Sequence, residues 1–167
     1  MGAVRAGEGF LSLGTSGVLF SVTDQHRPNV GDAVHAFCHA LPGVWHQMAV
    51  MLSAASAVTW GARGLGFVDE AQLLEAAASV SLQDRETAPF FEPYLGSERT
   101  PHNNPTLTAA WRGVTHAHDR DALAYAVVEG VSFGLKDGWL AFDDASSATP
   151  LSAPTPAAAL SAVGGGA

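Results

Sequence analysis

Two short apolar runs, Phe10-Leu-Ser-Leu13 and Val18-Leu-Phe-Ser-Val22, flank the four small residues Gly14-Thr15-Ser16-Gly17. Apolar strand-like runs joined by small turn residues predict a β-hairpin with a glycine-rich tip. That hairpin commits the start of the chain to sheet. Far downstream the periodicity changes. Leu123, Val127, Val131 and Leu135 recur every four residues, with Val128 and Trp139 beside them. This spacing predicts an amphipathic helix over about 119–142, capped by Asp119 or Asp121. Gly130, Gly134 and Gly138 share one stripe of that helix, which suits close approach to a sheet or another helix.

Between these landmarks, Asp24 to Asp32 is polar and carries Pro28, Asn29 and Gly31, so it reads as loop. Ala33–Ala40 and Val44–Val50 are strand candidates, with Leu41-Pro42-Gly43 as their turn. Ser53 suits the N-cap of a helix through the small residues up to Trp60, and Gly64 and Gly66 suit its end. Asp69 opens a second helix through Ala78 with Leu73, Leu74 and Ala77 on one side. Phe90–Leu95 is aromatic and interrupted by proline, and residues 96–105 are loop. Residues 143–158 are rich in Pro, Ser and Ala and read as a flexible connector, followed by a strand candidate, Ala159–Val163, and the run Gly164-Gly165-Gly166.

At 167 residues the chain is about one domain long. Eight Lys and Arg against sixteen Asp and Glu give a net charge of −8, a poor match to nucleic acid or an anionic membrane. No apolar run reaches the roughly 18 residues that span a bilayer, and residues 1–9 do not read as a signal peptide. The single cysteine, Cys38, allows no internal disulfide and fits a reduced, cytoplasmic setting in which it is a small buried hydrophobe. Charged residues make up 14% of the chain, below the roughly 25% of an average domain, which suggests a surface partly covered by something else.

The Gly14–Gly17 tip is the strongest chemical signal. Glycine lets a backbone approach a phosphate, successive N–H groups form an anion-binding concavity, and Thr and Ser hydroxyls add donors. The same string also suits an ordinary turn. It is neither a Walker A motif nor a dinucleotide fingerprint. The Gly164–Gly166 run could be a second phosphate or nucleoside contact, or a plain tail. The seven histidines invite a metal site, but His35 and His39 would lie roughly 13 Å apart on a strand. His116 and His118 are two apart and precede a helix, but no Cys or carboxylate cluster completes a zinc set, so structural or solvent-exposed histidines are the expectation. Gly-x-Ser-x-Gly is absent, which argues against a hydrolase. Glu98, Arg99, His102, Asn103 and Asn104 share one polar loop that either binds a ligand or caps itself.

Taken together, these strings resemble the FGGY carbohydrate kinases. Phe10-Leu-Ser-Leu-Gly-Thr-Ser-Gly-Val-Leu-Phe20 is similar to a phosphate-binding hairpin of that family. His35-Ala-Phe-Cys-His-Ala-Leu-Pro42, Trp45-His46, Met51-Leu-Ser-Ala-Ala-Ser56 and Glu98-Arg-Thr-Pro-His-Asn-Asn-Pro105 resemble its xylulokinase branch. Gly113-Val-Thr-His116 with Ala126-Val-Val-Glu-Gly130 is similar to its C-terminal helix signature. The resemblance implies an actin-like, ribonuclease-H-like α/β fold of two domains with ATP in the cleft. This chain would be most of the C-terminal, nucleotide-side domain, incomplete at both ends. The implied reaction is phosphoryl transfer from ATP, with Mg2+, to D-xylulose.

The same resemblance implies ATP contacts at Gly14, Thr15, Ser16 and Gly17, at Ser53 on a helix start that could itself hold an anion, and at Gly165 and Gly166. It places the catalytic Asp ahead of Met1, so that no catalytic residue falls in this chain, and no metal ligand can be named. It also implies a separate N-terminal sugar-binding domain, and related kinases can be homodimers. On that reading the 167 residues alone would not phosphorylate sugar. A nucleotide-binding or interaction module without catalysis is the alternative. Two departures from the family pattern stand out: Gly96-Ser97, where Ser-Gly is usual, and Ala122, where a polar residue is usual.

Overall fold

The computed structural model describes residues 2–142 and 160–164. Its first elements are β1 (Gly9–Leu13) and β2 (Gly17–Thr23), paired antiparallel from Gly9↔Ser21 to Leu13↔Gly17. The predicted hairpin is therefore present, with Gly14-Thr15-Ser16 as its tip. β3 (His35–Cys38) and β4 (Trp45–Met51) follow, also antiparallel. They match the two predicted strands, with β3 shorter than expected. Cys38, expected to be buried, lies exposed at the end of this strand.

Three helices follow: α1 (Ala55–Leu65), α2 (Glu70–Ser79) and the single turn α3 (Leu82–Arg85). Next come β5 (Phe90–Glu92) and β6 (Ala110–Arg112), which pair with each other. The long helix α4 (Arg120–Leu140) and β7 (Leu160–Val163) complete the order. The main sheet runs β3-β4-β2-β1-β7, with β7 parallel to β1 and Gly9 paired with Leu160. The connector expected over 143–158 lies outside the described residues.

α2 and α4 begin as the sequence predicts. The Asp69 carboxylate accepts the Gln72 amide at 2.9 Å, and the Asp119 carboxylate accepts the Ala122 amide at 2.9 Å. α1 ends at Gly66, whose φ of +75° is the left-handed cap conformation, while Gly64 lies inside the helix. Within α2, Leu73 and Ala77 are buried but Leu74 is 47% exposed, so the predicted apolar side is narrower than expected.

Helix α4 lies against the sheet face formed by Leu19, Ala49 and Met51, with Leu135, Trp139 and Phe142 packed around them. Its glycine stripe explains the closeness. A Cβ at Gly130 would collide with the Phe91 carbonyl, and one at Gly138 would collide with the Met51 sulfur. A second cluster joins Ala54 and Ala57 of the α1 segment to Phe91, Val127 and Val131. Trp60 and Phe91 stack there, and Trp111 lies tilted against both, its ring centre 4.7 Å from that of Phe91. The opposite sheet face is aromatic. Phe20 stacks between Phe10 at 4.7 Å and His46 at 4.5 Å.

Candidate functional site

The hairpin tip is bound to the start of α1 through its carbonyls. Gly14 O accepts the Ala55 amide at 3.0 Å, and Thr15 O accepts the Ala54 amide at 3.0 Å and the Ser56 hydroxyl at 2.7 Å. The Ser56 amide adds a 3.4 Å bond to Thr15 O. Ser16 Oγ donates to Leu52 O at 3.3 Å. These contacts satisfy the orphan donors that every helix start carries.

They also correct two expectations about Ser53. The N-cap of α1 is Ala54, with no side-chain cap bond, because hairpin carbonyls from residues 14 and 15 already take the first amides. For the same reason the start of α1 is not an open anion site. Ser53 itself is buried beside Gly96.

The tip's amides behave differently from its carbonyls. Among the described residues, the N–H groups of Thr15 and Ser16 carry no hydrogen bond, and Thr15 is exposed. Carbonyls are committed inward and amides are left unclaimed, which is the polarity an anion site needs. Gly17 has no room for a side chain: a Cβ there would stand 2.6 Å from Leu135 Cδ2 and 3.2 Å from Ala54 Cβ.

Gly164, the first glycine of the Gly164–Gly166 run, reaches the same place. β7 pairs beside β1 up to Ser12↔Val163, and Gly164 follows with φ +121°. A Cβ at Gly164 would collide with the Leu13 carbonyl, directly before the tip. Gly165 and Gly166, the expected contacts, lie outside the described residues.

The polar loop after β5 was only half legible in sequence. Glu98 is 4% exposed, and its Oε1 accepts the Leu52 amide at 2.8 Å and the Arg99 amide at 2.7 Å. Burial pushes its carboxyl above the ordinary value, while those two amides, His102 and Arg99 pull it back. Thr100 is fully buried and bonds both Val50 and Ala33. Tyr94 Oη and His102 Nε2 lie 2.8 Å apart, and burial raises the Tyr94 phenol.

The remaining candidates do not assemble. Among the described residues no three His, Cys, Asp or Glu side chains gather as a metal would require. His118 is structural: it accepts the Thr115 amide at 3.0 Å and its other ring nitrogen lies 3.0 Å from Thr87 O. No described helix is long and apolar enough to cross a membrane.

Residues 9–167 match the model of the C-terminal domain of the FGGY family of carbohydrate kinases. A xylulose kinase of Escherichia coli strain K12 is 48% identical over 139 residues, which are 83% of this chain and 28% of that protein. Among solved structures, a xyloylose kinase from Brucella ovis superposes with a TM-score of 0.84 at 43% identity, covering 99% of this chain and 33% of the other. A xylulose kinase from Bifidobacterium adolescentis gives 0.74 at 28% identity, over 83% and 27%. The chain thus spans about a third or less of the length of these relatives. Its mixed α/β architecture is that of the actin-like ATPase fold. The chain belongs to the FGGY family of carbohydrate kinases and matches their C-terminal domain.

Proposed function

We propose that this chain forms the nucleotide side of a sugar kinase and that the hairpin tip holds the phosphates of ATP. The observation that carries the reading is the polarity of the tip: carbonyls of Gly14 and Thr15 fixed on α1, amides of Thr15 and Ser16 unclaimed among the described residues. Gly14, Thr15, Ser16 and Gly17 are the proposed phosphate contacts. Ser53, a small residue at the junction behind the tip, and Gly165 and Gly166, just past Gly164, complete the proposed set. The Thr15 hydroxyl and the free amides would orient the phosphate chain; the clamp on α1 would keep them from turning away.

Bound ATP would supply the transferred phosphoryl group. Positioning and charge stabilisation account for most catalysis of this kind. Mg2+ is the proposed metal, and the described residues offer no ligand set for it. That is compatible with an ion held mainly by substrate phosphates and water.

The proposed substrate of the whole protein is D-xylulose, giving D-xylulose 5-phosphate. The support is the identity to xylulose kinases and the similarity to solved ones. A sugar-binding N-terminal domain would be its partner across the cleft, in a cytoplasmic setting.

Calorimetric titration of the 167-residue chain with ATP tests the nucleotide reading. Binding in the millimolar range or tighter is expected. Thr15→Ala should weaken it about tenfold, the worth of one hydrogen bond to a charged group. No heat at millimolar ATP would remove the reading.

A further inference from the structure

We propose that Glu98 and Thr100 are positioning residues that hold the Gly14–Gly17 hairpin in place through the junction between β4 and α1. The inference deepens the nucleotide reading above and rests on it for its functional meaning.

The argument starts at the edge of β4. Its partner β3 pairs only as far as His35↔Met48, so the last residues of β4 and the junction beyond it have lost their strand neighbour on that side. The 98–100 loop stands in for the missing strand. The Thr100 amide donates to Val50 O at 3.1 Å, and Thr100 Oγ1 accepts the Val50 amide at 3.1 Å while donating to Ala33 O at 3.1 Å. Two residues on, Glu98 Oε1 accepts the Leu52 amide. One backbone bond and two buried side chains take the place of the missing ladder. The loop is itself closed by paired bonds between Glu98 and Asn104, amide to carbonyl in each direction, at 3.1 and 2.9 Å.

What those side chains hold is the segment to which the hairpin is fastened. Leu52 gives its amide to Glu98 and its carbonyl to the Ser16 hydroxyl. Two residues later, Ala54 and Ala55 give their amides to Thr15 and Gly14. The line from Glu98 to the tip therefore runs through a few adjacent peptide groups, all hydrogen-bonded. Neither Glu98 nor Thr100 need touch a nucleotide for this to matter. A loss of either would let the junction drift, and displaced amides bind an anion poorly.

Substitutions in the 167-residue chain, read by amide hydrogen exchange and by ATP titration, test this. Glu98→Ala leaves the Leu52 amide without its acceptor; exchange at Leu52, Ala54, Ala55 and Ser56 should quicken about tenfold or more, with the middle of α4 unchanged. ATP affinity should fall by a similar factor. Glu98→Gln keeps a carbonyl oxygen for the same amides and should restore both readouts to within about twofold. Thr100→Val keeps shape and loses only the hydroxyl. It should loosen the same amides by roughly threefold to tenfold, and it decides the matter if Glu98→Ala does not fold. Unchanged exchange at Ala54–Ser56 in the folded variants would overturn the proposal. Failure of the unsubstituted chain to bind ATP would sink the nucleotide reading instead, and the exchange data would still judge the clamp.

Discussion

The starts of α2 and α4 and the start of α1 solve one problem in opposite ways. Each must satisfy amides that have no partner inside the helix. α2 and α4 use the residue immediately before them: Asp69 reaches Gln72 and Asp119 reaches Ala122. α1 uses carbonyls from Gly14 and Thr15, some forty residues upstream in sequence by the numbering, and has no side-chain cap of its own. A self-capped helix is indifferent to the rest of the molecule at that end. A helix capped by a hairpin fixes the hairpin as firmly as the hairpin fixes it. The second arrangement appears where an exposed loop needs to be held still, and the first where nothing depends on the helix end.

The contrast can be broken most forcefully at Gly17. Its Cβ position is already crowded by Leu135 and Ala54, so Gly17→Val should cost about 1–3 kcal/mol by overpacking and should also weaken ATP binding. Urea denaturation beside an ATP titration checks both. A loss of stability with unchanged affinity would mean that the hairpin need not sit on α1. Removing the local caps should do less. Asp69→Ala and Asp119→Ala should each cost about 1 kcal/mol and leave ATP affinity alone. A drop in affinity from either would erase the distinction between the two kinds of helix start.

The smallest expected effect is in pH dependence, and it belongs to the hairpin-built end. Burial raises the Glu98 carboxyl, against the pull of the Leu52 and Arg99 amides and of the neighbouring His102 and Arg99 charges. A raised carboxyl holds its proton more tightly folded than unfolded. Stability should therefore fall as pH climbs from the ordinary glutamate value through the folded one, and level off above it. Glu98→Gln cannot lose that proton, so its advantage over the unsubstituted chain should grow across the same window. Parallel stability curves for the two proteins would count against a strained, buried carboxylate.

The difference between the helix starts also explains what was readable in the sequence. Asp69 and Asp119 announce themselves, since cap and capped amide lie three residues apart. So does the hairpin, whose strands are consecutive, and the glycine stripe of α4, which needs only the helical period. Ser53 reads as a cap because nothing local says that Thr15 already occupies that role. Glu98 and Thr100 were visible as members of an unusual polar string, but their partners Leu52, Val50 and Ala33 are apolar residues whose side chains give no hint of their backbone bonds. β6 is not legible in the sequence, because its three residues acquire strand character only from β5, through pairs such as Phe91↔Trp111. The tip glycines could be read as a site, yet the carbonyl-in, amide-free polarity that recommends them comes from α1.

The pairing of β1 with β7 has a consequence for the order in which the molecule is made. Gly9 meets Leu160, so β1 emerges from the ribosome among the first residues of this stretch and waits for nearly all the rest before its second edge is covered. Until then the strand leading into the hairpin tip presents an unpaired row of amides and carbonyls, the kind of edge that recruits the wrong partner. β7 closes that edge, and Gly164 settles against Leu13 only then. The proposed nucleotide site is thus a seam between two segments far apart in sequence, and it is complete only once both have been made.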